Sequence, residues 1–276
     1  MQQTKNTIFV LILIFCFLNP LQAQEQEIIK PKEFVVTPLK SLSKPFSFKK
    51  SFLTKAGLLT TGVILSSFAD KWIQERAQDS QKSLLQKVSD KTTILGNHFI
   101  APGIAAVLAV SGLVTSDNYL ANTGIQAIQS FGLGMTFTLG TKMLFGRHRP
   151  YDEETNEIFN DNKSFKGIGW HEKVNQSFAS GHSTAVWSVS TVIANRYDNV
   201  FVKSVAYSTA SLVSLTRLYN NNHWFSDVVA GSLIGYFSAL SILEINENDV
   251  FNKSGLTVLP TQVSTNSFGL QAVLRF

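Results

Sequence analysis

Cysteine is almost absent from this chain: among 276 residues there is one, Cys16. It falls inside Ile8–Leu18, an unbroken apolar run preceded by Met1–Thr7, which carries Lys5 and no acid, and followed by Leu21-Gln22-Ala23. That three-part pattern predicts a secretory signal peptide over residues 1–23, cut after Ala23, with an uncleaved anchor as the alternative. Phe15 is too large for a lipoprotein site before Cys16. The exported chain then has no thiol, which excludes disulfides and thiolate chemistry. Blocks of charge are missing too. The net charge of +5 is mild, and no basic run is interleaved with aromatics, so nucleic acid is not an expected partner. An anionic substrate or a membrane surface suits this balance. Strand signal is scarce before the C-terminus, and there is no internal repeat or low-complexity tract.

What is present is a series of apolar stretches at helix length. Gln24–Lys50 mixes Lys, Pro, Glu and Ser without a period and reads as an extended lead-in. Phe52–Ala69, Phe99–Val114, Ala121–Phe145, Ser180–Asn195, Phe201–Leu218 and Ser226–Ile245 predict an all-α bundle of about six helices over residues 51–250. A polar, helix-compatible stretch covers Trp72–Lys91. Leu256–Leu259 and Phe268–Phe276 predict a short C-terminal hairpin within 251–276, packed on the bundle; two strands cannot close a barrel. Several helices approach the ~20 apolar residues of a membrane span. However, Lys55, Gln126 and Gln129 interrupt them, and mean hydropathy is only +0.09. A cleaved signal would also put the Lys142–Arg149 cluster in the cytoplasm if every helix crossed. A bundle outside the inner membrane is therefore favoured over an embedded one.

Three short stretches carry chemistry, each at a helix end. Lys142 precedes Arg149 by seven residues, and Pro150 stops the helix there. Phe178-Ala179-Ser180-Gly181-His182 is a small turn opening a helix, where free N–H groups favour an anion. Arg217, His223 and Asp227 follow at spacings of six and four. If the chain is helical from Trp224, His223 and Asp227 share a face, and a carboxylate on one ring nitrogen would aim the other lone pair outward. Arg217 supplies a guanidinium fork for an oxyanion. Convergence of these ends would gather Lys142, Arg149, Arg217, Ser180 and two imidazoles. No packing reason places such groups together in an apolar bundle.

Lys-x6-Arg-Pro, Ser-Gly-His and Arg-x5-His-x3-Asp, in that order, resemble the type 2 phosphatidic acid phosphatase superfamily. That superfamily also holds bacterial class A acid phosphatases and vanadium haloperoxidases. The resemblance spans about Phe52–Ile245. Ala179 stands where the family usually has Pro, and Thr216 where it usually has Ser; neither removes a chemical group from the site. The resemblance implies that His223 is a nucleophile forming a phosphohistidine, oriented by Asp227. It makes His182 the general acid and then the base. Lys142, Arg149, Ser180, the Gly181 amide and Arg217 would hold the phosphoryl oxygens. Two imidazoles flanking a cationic cradle suit in-line displacement without a metal or other cofactor. The expected substrate is a phosphate ester, with a lipid phosphate or diphosphate favoured by the apolar bundle. A vanadate-dependent haloperoxidase and a non-catalytic envelope scaffold are the alternatives. Arg147 and His148 read as packing or solvated residues beside the motif, His98 as structural, Trp170 and His171 as loop surface, and Tyr219 and Trp224 as lining of the pocket mouth.

Overall fold

Local signals explain most of the helix boundaries. The computed structural model describes residues 28–43, 50–79, 83–151, 165–170, 172, 175–247, 255–264 and 267–275. The expected signal peptide, most of the acid-rich loop after Tyr151, and His171 lie outside them. Among the described residues are nine helices: α1 (Pro31–Ser43), α2 (Lys50–Ser67), α3 (Asp70–Asp79), α4 (Ser83–Thr92), α5 (Ile100–Thr115), α6 (Asn118–Phe145), α7 (Gly181–Arg196), α8 (Val200–Tyr219) and α9 (Phe225–Glu247). Asp117 caps α6 by accepting from Leu120 N at 3.0 Å, and Asn199 caps α8 by accepting from Phe201 N and Val202 N. Such caps satisfy donors that have no partner within the helix. Left-handed residues at Ser116 (φ 58°) and Gly146 (φ 54°) end α5 and α6, as helix C-termini favour.

The all-α expectation holds, with two local corrections. The lead-in, expected to be extended, contains α1: Pro31 sits at its first position, Lys30 N donates to Glu33 Oε2, and Lys40 lies in its last turn. Pro38 inside α1 leaves the Phe34 carbonyl without its helical donor. Gln129 Nε2 of α6 donates to Phe34 O (3.2 Å) and Glu33 O (3.0 Å). A glutamine that looked like an interruption of an apolar helix therefore completes a neighbouring one. The helix-compatible stretch Trp72–Lys91 holds most of α3 and α4, which bring the helices among the described residues to nine.

The first compact unit is Met1–Leu243. Within it α6 packs on α1, α5 and α7, and α7 on α8. The main core uses small side chains: Ala101 and Ala105 of α5, Ala127 of α6, Ala185, Val189 and Val192 of α7, and Ala239 and Leu243 of α9. Small residues let helix backbones approach closely, which is how α9 meets α7. A Cβ at Gly231 would lie 2.3 Å from Ser180 O, and one at Gly235 would lie 2.5 Å from Thr184 O. Between α6 and α7, Thr138 Oγ1 pairs with Thr184 Oγ1 (2.7 Å) and Ser130 Oγ donates to Ser188 O (3.2 Å). Among the described residues, only the span Phe225–Asn246 is by itself long and apolar enough to cross a membrane, and 56% of its most apolar window is buried.

The second unit is Glu244–Phe276. In it β1 (Gly255–Ser264) pairs antiparallel with β2 (Ser267–Arg275), from Gly255 opposite Arg275 to Ser264 opposite Ser267.

Candidate active site

The ends of α6, α7 and α8 and the approach to α9 carry the eight residues picked out in the sequence. Lys142 lies in the last turn of α6, and its Nζ donates to Gln176 O. Arg149 follows that helix, and its Nη1 donates to Asn222 O at 3.1 Å, beside His223. Ser180 is the N-cap of α7: its Oγ accepts from Ser183 N (3.4 Å) and Ser183 Oγ (3.1 Å), and its own proton remains available to donate. Gly181 and His182 begin that helix. Arg217 is buried near the end of α8, with Nη1 donating to Thr93 Oγ1 at 2.6 Å. Its buried Nε finds no partner among the described residues. A desolvated cationic donor without an acceptor is costly in an apolar bundle, and it is what an anion-binding cradle would present.

The electrostatics show that these groups share one space. Burial, then Arg149, Lys142, Arg217 and His182, holds His223 well below its ordinary value. Burial, then Arg217, His98, Arg149 and Lys142, lowers His182 to about 3. Burial and Arg149 bring Lys142 down to about 7, against a smaller upward pull from Asp227. Arg217 is lowered to about 10, by burial first and then by Arg149. Each cation thus disfavours the others and the protonated imidazoles, so the site stores positive potential that an anion would relieve. His98, read from the sequence as structural, contributes to the field on His182.

His223 is placed differently from the sequence expectation. It precedes α9 rather than sharing a helical face with Asp227. Its Nδ1 lies 2.8 Å from Ser177 O and 3.8 Å from Asp227 Oδ2. A carbonyl only accepts, so Nδ1 carries the proton and the Nε2 lone pair is left for chemistry. The direct carboxylate–imidazole bond is replaced by an indirect one. Ser177 Oγ donates to Asp227 Oδ2, and that oxygen also accepts from Trp224 N at 3.0 Å. Asp227 therefore fixes the backbone on both sides of the ring contact.

Sequence reasoning missed Ser177 and Asp70 and undervalued Arg147. Arg147 is a buried residue whose guanidinium donates to Asp227, to Asp70 Oδ2 (2.7 Å) and to Ser226 Oγ (2.7 Å). The one available signal was the adjacency of Arg147 to the Lys142–Pro150 motif. Ser177 acts partly through its backbone carbonyl, which no residue pattern reveals. Trp224 is buried, and its Nε1 donates to His148 O at 2.8 Å, so it packs beneath the motif instead of lining a mouth. Among the described residues, no three His, Cys, Asp or Glu side chains group as a metal site would require.

The family model of the PAP2 superfamily matches residues 123–250, a range that contains all eight residues. Over that stretch, just under half of its length, the chain is similar to this superfamily. A solved structure of a transmembrane PAP2-type phosphatidylglycerolphosphate phosphatase from Bacillus subtilis shares the fold: TM-score 0.50, 18% identity, covering 78% of this chain and 98% of that one. LpxE from Aquifex aeolicus aligns with TM-score 0.48 and 19% identity over 62% of this chain and 92% of its own. Lipid A 1-phosphatase of Porphyromonas gingivalis is 31% identical over 61 residues, which is 21% of this chain and 14% of that protein's length.

Proposed function

We propose that this chain is a metal-independent phosphatase of the cell envelope, hydrolysing a lipid phosphate or diphosphate through a phosphohistidine intermediate. The observation that carries this reading is the cluster of Lys142, Arg149 and Arg217 around two imidazoles, one of which has its tautomer set by Ser177 O. His223 Nε2 attacks phosphorus in line, and the phosphoryl oxygens spread their charge over the three cations, the Ser180 hydroxyl and the Gly181 amide. His182 gives its proton to the departing oxygen. It then takes a proton from water, which attacks the phosphohistidine and releases phosphate. Burial first, and then the surrounding cations, hold the His182 imidazole below its ordinary value; a phosphate dianion bound beside it supplies negative charge that favours the protonated ring.

A lipid substrate is supported by the surface and by the short match to a lipid A 1-phosphatase. Leu58 and Leu65 of α2, Val110 and Val114 of α5, Leu139 of α6 and Leu215 of α8 are all more than half exposed. An apolar exterior of that extent suits contact with lipid. Export and action outside the inner membrane belong to the same proposal.

The test is phosphate release by the purified protein in EDTA, with lipid phosphates, lipid diphosphates and soluble monoesters, alongside His223→Ala and a vanadate titration. Release that survives EDTA, is blocked by vanadate and disappears in His223→Ala is expected. Release by His223→Ala at the parent rate would remove the nucleophile assignment. No release from any substrate by folded protein would overturn the phosphatase reading.

A further inference from the structure

Behind His223 lies a buried charge network that the proposed reaction does not use directly. Asp70, the first residue of α3, is fully buried and stands outside residues 123–250, the region matched by the family model. Its Oδ1 accepts from Ser226 N (2.7 Å), and its Oδ2 accepts from Ser226 Oγ (2.8 Å) and Arg147 Nη2 (2.7 Å). Asp70 thereby caps the first turn of α9 from a helix 156 residues away. The other arm of Arg147 holds Asp227 Oδ1, whose second oxygen holds Ser177 Oγ and Trp224 N. The Arg147 carbonyl accepts from Ser177 N at 2.9 Å. Ser177 O in turn orients His223 Nδ1. The guanidinium lies 5.3 Å from the Phe165 ring centroid and 5.5 Å from that of Trp224, so it is enclosed as well as paired.

We propose that Asp70, acting through Arg147 and Ser226, is a positioning residue for His223. The role follows from how the charges are shared. Two buried carboxylates share one guanidinium, so the removal of Asp70 leaves Arg147 in a one-to-one pair with Asp227 and frees it from the geometry that the shared arrangement imposes. Without the Asp70 carboxylate, Arg147 swings to Asp227 alone and Ser226 N loses a charged acceptor. Ser226 is three residues after His223, and Asp227 and Ser177 bracket the imidazole. A small rotation there misaims Nε2. A misplacement of about 1 Å costs on the order of a hundredfold in rate.

This assignment rests on His223 being the nucleophile, so the experiment has an arm independent of turnover. In full-chain protein, Asp70→Asn is expected to lower kcat by about ten- to a hundredfold while KM changes less than about twofold. Ser226→Ala, a milder cut in the same network, moves kcat the same way by less and serves if Asp70→Asn does not fold. Arg196→Gln is the stability control. It loses the contacts of Arg196 to Thr123 Oγ1 and Tyr119 O, so it lowers Tm with kcat of the folded protein unchanged. Nitrogen-15 NMR of labelled histidine reads the His223 tautomer directly. It is expected to be Nδ1-protonated in the parent and mixed in Asp70→Asn, or in Ser226→Ala where that variant is the one that folds. An unchanged tautomer, or a fall in Tm with kcat per folded molecule intact, overturns the proposal. If the parent releases no phosphate, the function reading fails, and the tautomer comparison alone decides the positioning role.

Discussion

At the scale of single residues, the site is a contest between burial and charge. Three cations crowd two imidazoles, and the imidazoles yield first because neutral histidine is the accessible form. That suits the attack proposed for His223, which needs an unprotonated Nε2, and it handicaps the acid role proposed for His182, which needs a proton. Lys142 is the residue whose charge changes in the working range. Burial and Arg149 bring it to about 7, so it is cationic below that pH and loses its charge as pH rises through it. The expected result is a fall in kcat/KM above about pH 7, since that ratio reports the free enzyme. Lys142→Arg keeps its charge at any such pH, so the alkaline fall should flatten or move upward while the acid side stays. A profile identical to the parent's would show that Lys142 does not set the limb.

At the scale of elements, close approach of α9 to α7 determines where the proposed phosphate cradle sits. Ser180 N donates to Asp227 O at 3.0 Å, a bond that needs the two helix starts almost in contact. Gly231 leaves room for it, because a Cβ there would meet Ser180 O at 2.3 Å. Gly231→Ala must push α9 away or shift the turn that carries Ser180, Gly181 and His182. Overpacking of this kind costs about 1–3 kcal/mol. A lowered Tm together with a loss of kcat well beyond the unfolded fraction is the expected outcome, measured by thermal melts and turnover on the same samples. Full activity at the parent Tm would mean that the helices have slack there. Gly231 and Gly235 stand four apart in the sequence, a spacing that the sequence analysis did not single out. Which partner they face was not visible, since spacing names a helix face and not its neighbour.

At the scale of the first compact unit, the proposed lipid substrate would meet both an apolar exterior and a cationic site. Residues 165–170 are pinned to the end of α6 by Lys166 N to Gly146 O, Gly167 N to Phe145 O and Gly169 N to Met143 O. That arrangement presents Ile168 and Trp170 at 86% and 84% exposure, on either side of Gly169, whose N–H bonds the carbonyl of Met143, the residue after Lys142. Replacing both with serine should raise KM severalfold for a lipid phosphate in vesicles and leave a soluble monoester unaffected. Equal effects on both substrates would assign the segment to folding rather than to the lipid surface. The sequence alone determined the helical class and the six main apolar segments, and it named the eight charged, hydroxyl and backbone groups proposed for the site. These follow from period, capping residues and ordered motifs, all of which are local in the chain. The tertiary structure decided what the sequence leaves open: that α1 exists with Gln129 completing it, that Asp227 reaches His223 through Ser177, and that Asp70 and Arg147 stand behind both. Those contacts join residues 46 to 156 positions apart. Several run through backbone carbonyls and amides, groups that every residue carries and no sequence pattern marks.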